Sequence, residues 1–384
     1  MRWMKTWLVV GLILAFATAG PGLAQTKLKV GFIYVGPIGD YGWTHAHNQA
    51  RLIAEKTLPI ETLYVESVPE AQVEPFIDKL IQQGSKVVLT TSFGFMDGTL
   101  AMAKRYPNIL FGHASGFKRN PNMFTYMADF YQIYYLNGLM AGALTKTGKV
   151  AYVGAFPIPE VKRHLGAFAL GVRAVNPKAT VNVRWLFAWF DPAKAKEATE
   201  ALIAEGADVF AFTEDSPTVV QVAAKKGLPS FSHYSPMQRY APQGVVSGQL
   251  VHWERIYVDF LSKVLAGKYN ATNLQNVDYW WLLAEKAAEV GGEFGVPINP
   301  VWVSKLQAAK VNTKEFGTLS VYDLVMRRLA QMSKTPVAFD PFTGPIRDRK
   351  GVLRVPAGHT MTVLELTTME WAAPGVVGPW PKEP

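Results

Sequence analysis

Short apolar runs alternate with amphipathic stretches along most of the chain. Residues 27–34 form an apolar run rich in Val, Ile and Phe, which is typical of a buried strand, and residues 45–56 follow with the spacing of a helix. The same alternation continues, with strands predicted at 61–65, 86–91, 109–113 and 123–128 and helices at 72–83 and 97–106. This order predicts an α/β fold with a parallel sheet covered on both faces.

The pattern then restarts about 120 residues later. The string KVAY at 149–152 matches KVGF at 29–32, and FSH at 231–233 matches FGH at 111–113. Two further matches occur in the same order. Leu-Ile and the following Gly at 202–206 match the same residues at 80–84, and Ile-Tyr at 256–257 matches Ile-Tyr at 133–134. We therefore predict a duplication that yields two doubly wound, flavodoxin-like lobes joined by a hinge.

The predicted lobes are built from discontinuous segments. Lobe 1 comprises residues 25–128 plus about 249–278, and lobe 2 comprises residues 129–248 plus about 279–340. Helical patterns near 300–314 and 321–333 are expected to pack on lobe 2. Residues 341–384 are predicted to form a turn-rich hairpin and a tail, without an assigned lobe.

The first 24 residues have the pattern of a signal peptide. Arg2 and Lys5 precede an uncharged apolar run at 7–18, and Gly22 and Ala24 place small residues before Gln25. The run of about 12 residues is too short to span a bilayer, although an uncleaved anchor is the alternative. No later segment approaches 18 apolar residues, so we expect an exported chain without a stable membrane span.

Composition removes several function classes. The 384 residues include no cysteine, which excludes disulfides, thiolate metal sites, a cysteine nucleophile and a lipid-modified cysteine. The net charge of +9 is spread along the chain, so a nucleic-acid partner is not expected. The chain has no GxSxG, HExxH or Walker A motif, and His45 and His47 point to different helix faces. We therefore expect neither an enzyme nor a cofactor nor a metal site.

The loops that follow the strands are predicted to line a cleft between the lobes, because doubly wound sheets bind ligands beyond the carboxyl ends of their strands. Loop 36–43 has glycines spaced as GxxGxxG and an acidic residue, which favours helix capping over a bound phosphate. The candidate ligand-binding residues in these loops are Asp40, Tyr41, Trp43, Ser92 and Phe93 in lobe 1, and Phe156, Trp189, Asp215, Ser216 and Tyr234 in lobe 2.

Two of these aromatic residues are expected to face each other across the cleft. Trp43 and Trp189 come from opposite lobes and could stack on a planar ligand, although packing of Trp43 on its own helix is the alternative. Strict alternation would place Phe187 on the same, mostly buried, face as Trp189. Glu160, with Arg163 and His164, lies at a helix start, where we expect a capping and solvated role.

Six strings spread over residues 27–375 carry a family resemblance. They are GFIYVGPIGDYGW, LTTSFGFMD, YVGAFPIPEV, WFDPAKAKEA, TEDSP and FDPFTGPIRDRKG. Together they resemble the basic membrane protein (BMP) family, which are substrate-binding proteins of ABC importers with the type I periplasmic-binding-protein fold. The resemblance implies a periplasmic or other extracytoplasmic receptor, expected to be a monomer, that closes two lobes on a small ligand and delivers it to an ABC permease.

Members of this family with known ligands bind purine nucleosides or purine bases. The resemblance implies that Asp40 and Trp43 lie in the motif whose aromatic residue stacks on the purine. It places Trp189 at or beside the second stacking position, and Asp215 and Ser216 in a segment that lines the cleft.

Two departures from nucleoside-binding relatives favour a free base. Those relatives carry an aspartate in the loop that matches residues 234–237, and a lysine near residues 249–253, where this chain has Leu250, His252 and Trp253. A free base or another flat heterocycle is therefore expected, with an aromatic lid from Trp253 or Trp281. The main alternative is the same receptor fold with a different small ligand, which is a sugar, a carboxylate or a vitamin-like heterocycle. An exported nucleoside hydrolase is a further alternative.

Overall fold

Two sheets organise the part of the chain that the computed structural model describes, residues 27–382. The strands are β1 (Leu28–Ile33), β2 (Ile60–Val65), β3 (Val87–Thr90), β4 (Leu110–Ala114), β5 (Met123–Ala128), β6 (Lys149–Gly154), β7 (Thr180–Trp185), β8 (Val209–Thr213), β9 (Ser230–Ser232), β10 (Val245–Val251), β11 (Asp278–Trp281), β12 (Ala288–Val290), β13 (Lys310–Thr313), β14 (Gly317–Ser320), β15 (Ile346–Arg347), β16 (Leu353–Val355) and β17 (Val376–Val377). The predicted signal peptide lies outside the described residues.

Helices connect most of these strands. They are α1 (Trp43–Thr57), α2 (Val73–Gln82), α3 (Met96–Arg105), α4 (Tyr131–Leu144), α5 (Pro159–Val175), α6 (Pro192–Ala204), α7 (Thr218–Lys225), α8 (Trp253–Leu265), α9 (Pro300–Ala308), α10 (Val321–Met332) and α11 (Val363–Thr367). Within the described residues, no helix is both long and apolar enough to cross a membrane.

The strand orders of the two sheets repeat each other. Sheet 1 runs β2-β1-β3-β4-β5-β11, and sheet 2 runs β7-β6-β8-β9-β10-β12, with β17 added beyond β7. β11 pairs parallel to β5, whereas β12 pairs antiparallel to β10. The central strands β3 and β8 are buried along their whole length, as parallel strands between helical layers should be. The predicted α/β fold with two doubly wound lobes is confirmed.

The chain passes between the sheets three times. It leaves sheet 1 after β5, returns after β10, and leaves again between β11 and β12. Strand β10 stays paired in sheet 2 as far as Val251, and β11 stays paired in sheet 1 as far as Trp281. The second and third passages therefore fall a few residues later than the expected boundaries at about 249 and 279. The helices that follow the first two passages, α4 and α8, contain the matched Ile-Tyr pairs at 133–134 and 256–257.

The segment after β12 differs in part from its predicted pattern. Helix α9 ends at Ala308, earlier than the expected 314, because Lys310–Thr313 pairs with Gly317–Ser320 as a hairpin. Helix α10 agrees with the predicted helix and packs against α4 and α9. The predicted C-terminal hairpin is present as β15 and β16, and the tail then returns to add β17 to the edge of sheet 2.

Candidate ligand-binding cleft

A small pocket lies where the strand-end loops of the two lobes meet. Its volume is about 10 Å³, enough for about one water molecule and far below the several hundred Å³ that are usual for small-molecule sites. The lining residues are Val35, Trp43, Ser92 and Phe93 from lobe 1, and Glu160, Trp189 and Tyr234 from lobe 2. Five of the predicted site residues therefore line one pocket, and four of them are aromatic.

The lobes touch each other around this pocket. The backbone N–H of Trp43 donates to Asp215 Oδ1 at 3.3 Å, and Trp189 Nε1 donates to Glu70 Oε1 at 3.4 Å. The Ser115 hydroxyl of lobe 1 also donates to Glu160 of lobe 2. These contacts between lobes define a closed cleft.

Asp40 shapes the first loop and is not among the residues that line the pocket. Its carboxylate accepts hydrogen bonds from the backbone N–H groups of Gly42, Thr44 and His45 at 2.8–3.1 Å, which is the capping role expected at the start of α1. Burial raises the pKa of Asp40 to about 6, and the backbone donors limit that rise. Asp40 therefore fixes the backbone that presents Trp43.

Trp43 has both of the roles considered from the sequence. Its ring meets His47 of the same helix edge-on at 4.5 Å between centroids, and its indole N–H donates to the carbonyl of Thr91. The ring also meets Tyr234 of lobe 2 at 5.2 Å and lines the pocket. Packing on its own helix and facing the cleft are thus compatible.

The loop after β7 departs from the predicted alternation. The strand ends at Trp185, and Phe187 adopts a left-handed conformation with φ of 52° and is 58% exposed. The expectation that Phe187 shares a mostly buried face with Trp189 is therefore wrong, because the chain turns before that residue. Trp189 is half-buried, with its ring 5.1 Å from that of Phe156.

Buried carboxyl groups lie beside the pocket on lobe 2. Asp215 Oδ2 and Glu214 Oε2 have no hydrogen-bond partner among residues 27–382. Burial raises the pKa of both groups well above the usual range, and the neighbouring Asp40 raises that of Asp215 further. The Ser216 hydroxyl donates a hydrogen bond to Glu214 Oε1 at 3.0 Å and so satisfies one oxygen of that buried carboxyl group. Such groups can accept hydrogen bonds when ionised and can donate when protonated.

Glu160 is a pocket residue that the sequence interpretation assigned elsewhere. It was expected to be solvated at a helix start, but it is 5% exposed and lines the pocket. Burial raises its pKa, partly offset by His164 and by the Ser115 hydroxyl. Its position just after the loop that follows β6 was the feature of the sequence that could have identified it as a pocket residue. Arg163 and His164 are also buried, and both bind Asp129.

Seven of the twelve predicted residues do not line the pocket: Asp40, Phe156, Asp215, Ser216, Trp253, Trp281 and Tyr41. Trp253 is fully buried behind Trp43 and stacks on His47 at 4.2 Å, so the expected lid is instead part of the core. Trp281 is half-buried on β11, against Tyr279, and does not line the pocket. Tyr41 is 41% exposed and meets Tyr240 of lobe 2 at the rim of the cleft.

Two lobes of the same topology that close on an aromatic pocket define a binding protein of the periplasmic type. Residues 27–288 match the model of the Bmp family, described as ABC transporter substrate-binding protein PnrA-like. The chain is 33% identical over 372 residues to a purine-binding protein of Brucella abortus, covering 96% of this chain and 98% of that one. It is 37% identical over 284 residues to a candidate ABC transporter glucose-binding protein of Haloferax volcanii, and the match covers 74% of this chain and 69% of that one.

Solved structures share the fold at low sequence identity. An ABC transporter solute-binding protein of Aeropyrum pernix superimposes with a TM-score of 0.67 at 16% identity, covering 81% of this chain and 92% of that one. A solute-binding protein of Conexibacter woesei superimposes with a TM-score of 0.61 at 18% identity, covering 82% of this chain and 99% of that one. This chain belongs to the Bmp family of ABC transporter substrate-binding proteins. It is therefore a receptor that works outside the cytoplasm with a transporter permease, and not an enzyme.

Proposed function

We propose that this chain is an exported receptor whose lobes close on a flat, purine-like ligand, with a free base preferred to a nucleoside. The observation that carries the proposal is the pocket lining. Trp43 and Phe93 of lobe 1 and Trp189 and Tyr234 of lobe 2 line this pocket from both sides, and the lobes must move apart to admit a ring system. Aromatic side chains on both sides suit a planar ring system, which gains stacking energy only when both lobes contact it.

The buried acids support a ligand that carries N–H donors. Glu160 lines the pocket, and Asp215 and Glu214 hold unpartnered oxygens beside it. A buried carboxyl oxygen without a partner is costly, so a ligand N–H that reaches one stabilises the complex. Purine bases offer several ring and exocyclic N–H groups. The name of the Brucella abortus relative agrees with this class of ligand.

A sugar is the second candidate, because the Haloferax volcanii relative is described as glucose-binding. Sugars also stack on aromatic rings, but they present hydroxyl groups in several directions. Sugar sites therefore need many polar side chains, whereas Ser92 and Glu160 are the polar residues that line this pocket. The balance of apolar to polar groups favours the heterocycle.

The ligand class can be tested by thermal unfolding with a panel of small molecules. Adenine, guanine, hypoxanthine and xanthine are compared with their nucleosides and with glucose, each at millimolar concentration. We expect at least one base to raise the melting temperature, since a ligand at 100 times its Kd stabilises the folded state by about 2.7 kcal/mol. A shift with glucose and none with any purine would reject the proposal in favour of a sugar receptor.

Delivery to a permease, export by the signal peptide at residues 1–24 and a monomeric state belong to the same proposal. The family supplies the permease as partner, and residues 1–24 have the charge and hydrophobic pattern of a secretion signal. Mass spectrometry of the mature protein, isolated from outside the cytoplasm, should find an N-terminus at Gln25.

A further inference from the structure

A second space lies beside the ligand pocket, along α1. It is a groove of about 470 Å³ between the lobes with a mixed polar and apolar lining, called here the side groove. Its polar lining includes His45 and Gln49 of α1 in lobe 1, and Arg239, His252 and Glu254. The His252 ring bridges Glu254 at 2.9 Å and Glu289 at 2.8 Å, so these side chains hold fixed positions. The groove offers donors and acceptors that a hydroxylated substituent could use.

Tyr234 lines both the ligand pocket and the side groove. The side chain is 2% exposed, with its ring 5.2 Å from Trp43, 5.4 Å from Phe130 and 3.5 Å from His233. A ring held on three sides cannot swing aside without disturbing its neighbours. Tyr234 is thus a fixed wall between the two spaces.

The backbone at this residue is unusual for an aromatic side chain. Tyr234 has φ of 61°, in the left-handed region that residues with a Cβ rarely adopt. The loop accepts this strain and places the ring between the pocket and the groove. Strained residues of this kind are concentrated at ligand-binding sites.

We propose that the side chain of Tyr234 sets the size of the ligand. It closes the ligand pocket against the side groove, so that a ring system bound in the cleft cannot extend a hydroxylated substituent such as ribose into the groove. Removing the Tyr234 ring joins the two spaces, and the substituent can then enter the side groove. This inference rests on the proposed function, since it concerns which purine derivative the cleft accepts.

The test is the ratio of dissociation constants for adenosine and adenine, measured by calorimetry in the wild type and in Tyr234→Gly. Glycine removes the ring and adopts φ of 61° without strain. We expect the wild type to bind adenine more tightly than adenosine. The ratio of the two dissociation constants should fall at least tenfold in the variant, which is a change of about 1.4 kcal/mol or more in relative binding free energy. If the glycine variant does not fold, Tyr234→Asn serves instead, because Asn tolerates the left-handed region.

Phe187→Gly is the matched control. Phe187 is also an aromatic residue with a left-handed backbone, φ of 52°, but it is exposed and does not line the pocket. The ratio of the dissociation constants for adenosine and adenine in Phe187→Gly should equal that of the wild type. Adenine binding with an unchanged ratio in the Tyr234 variant overturns this inference alone. Equal wild-type affinities for adenine and adenosine overturn it together with the proposed preference for a free base, but leave the purine receptor itself in place. Wild-type protein that binds neither purine overturns the proposed function and this inference with it.

Discussion

Replacing Arg163 by alanine is expected to lower the free energy of unfolding by about 3–5 kcal/mol, because it leaves a buried charge without its partner. Arg163 and Asp129 form an ion pair whose side chains are 2% and 0% exposed. Arg163 also donates to the carbonyl of Leu366 at 2.7 Å. The pair thus ties together the first passage between the lobes, helix α5 and the C-terminal region.

The pH dependence of this loss has a defined sign. Burial alone would raise the pKa of Asp129, but the Arg163 guanidinium and His164 outweigh it and hold that pKa well below the usual range. The pair therefore stabilises the fold above the ordinary pKa of 3.8, and this stabilisation is lost progressively as the pH falls below it. The difference between wild type and variant should shrink in acid.

Arg184→Ala is the matched control for Arg163→Ala, measured by urea unfolding at neutral pH. Arg184 also pairs with a carboxylate, that of Glu205, but the two side chains are 44% and 52% exposed. Exposed pairs contribute about 0–1 kcal/mol, so this variant should unfold close to the wild type. Equal losses in both variants would contradict the assigned role of the buried pair.

A large side chain at position 42 is expected to abolish tight ligand binding without unfolding the protein. A Cβ on Gly42 would lie 2.5 Å from the Cα of Asp215, across the cleft on the other lobe. Gly42→Leu should therefore hold the cleft open and weaken ligand affinity by roughly a hundredfold or more, since the closed state is the binding state.

Gly39→Leu separates this effect from a general disturbance of the first loop. Gly39 lies three residues earlier, and a Cβ there would meet no atom within 4 Å. Titration calorimetry gives the affinities of both variants, and small-angle X-ray scattering gives their radii of gyration. Gly42→Leu should have the larger radius in the presence of ligand. Wild-type affinity in Gly42→Leu would show that binding does not require the observed contact between the lobes.

The sheets could be predicted from the sequence because their signals are local. The apolar run at 27–34 and its repeat near 149 mark buried strands, and strands β1 and β6 lie there. The constant offset between the repeats also indicated the common strand order. Loop positions after these strands identified Trp43, Trp189 and Tyr234, because the carboxyl ends of parallel strands meet at one edge.

The remainder depended on contacts between residues distant in sequence. Glu160 is buried because Ser115, 45 residues earlier, meets it from the other lobe. Arg163 is buried because Asp129 lies opposite it at the passage between the lobes. Trp253 was predicted as a lid because its aromatic character is visible in the sequence, whereas the stacking of α8 on α1 that buries it is not.

The left-handed residues show a second limit. Phe187 interrupts the alternation after β7, and Tyr234 turns its ring into the cleft, yet neither is a glycine or an asparagine that would signal such a backbone. Asp40 was the opposite case, since an acidic residue just before a helix predicts a cap, and it caps α1.

The central claim is that a flat ligand is held between side chains of both lobes, and the most direct measurement is calorimetric titration of the wild type and of Trp189→Ala with adenine. Trp189 is half-buried and lines the pocket from lobe 2, so its loss should affect binding more than folding. We predict one site in the wild type and at least tenfold weaker binding in the variant, about 1.4 kcal/mol. Adenine binding with wild-type affinity in Trp189→Ala would contradict the claim.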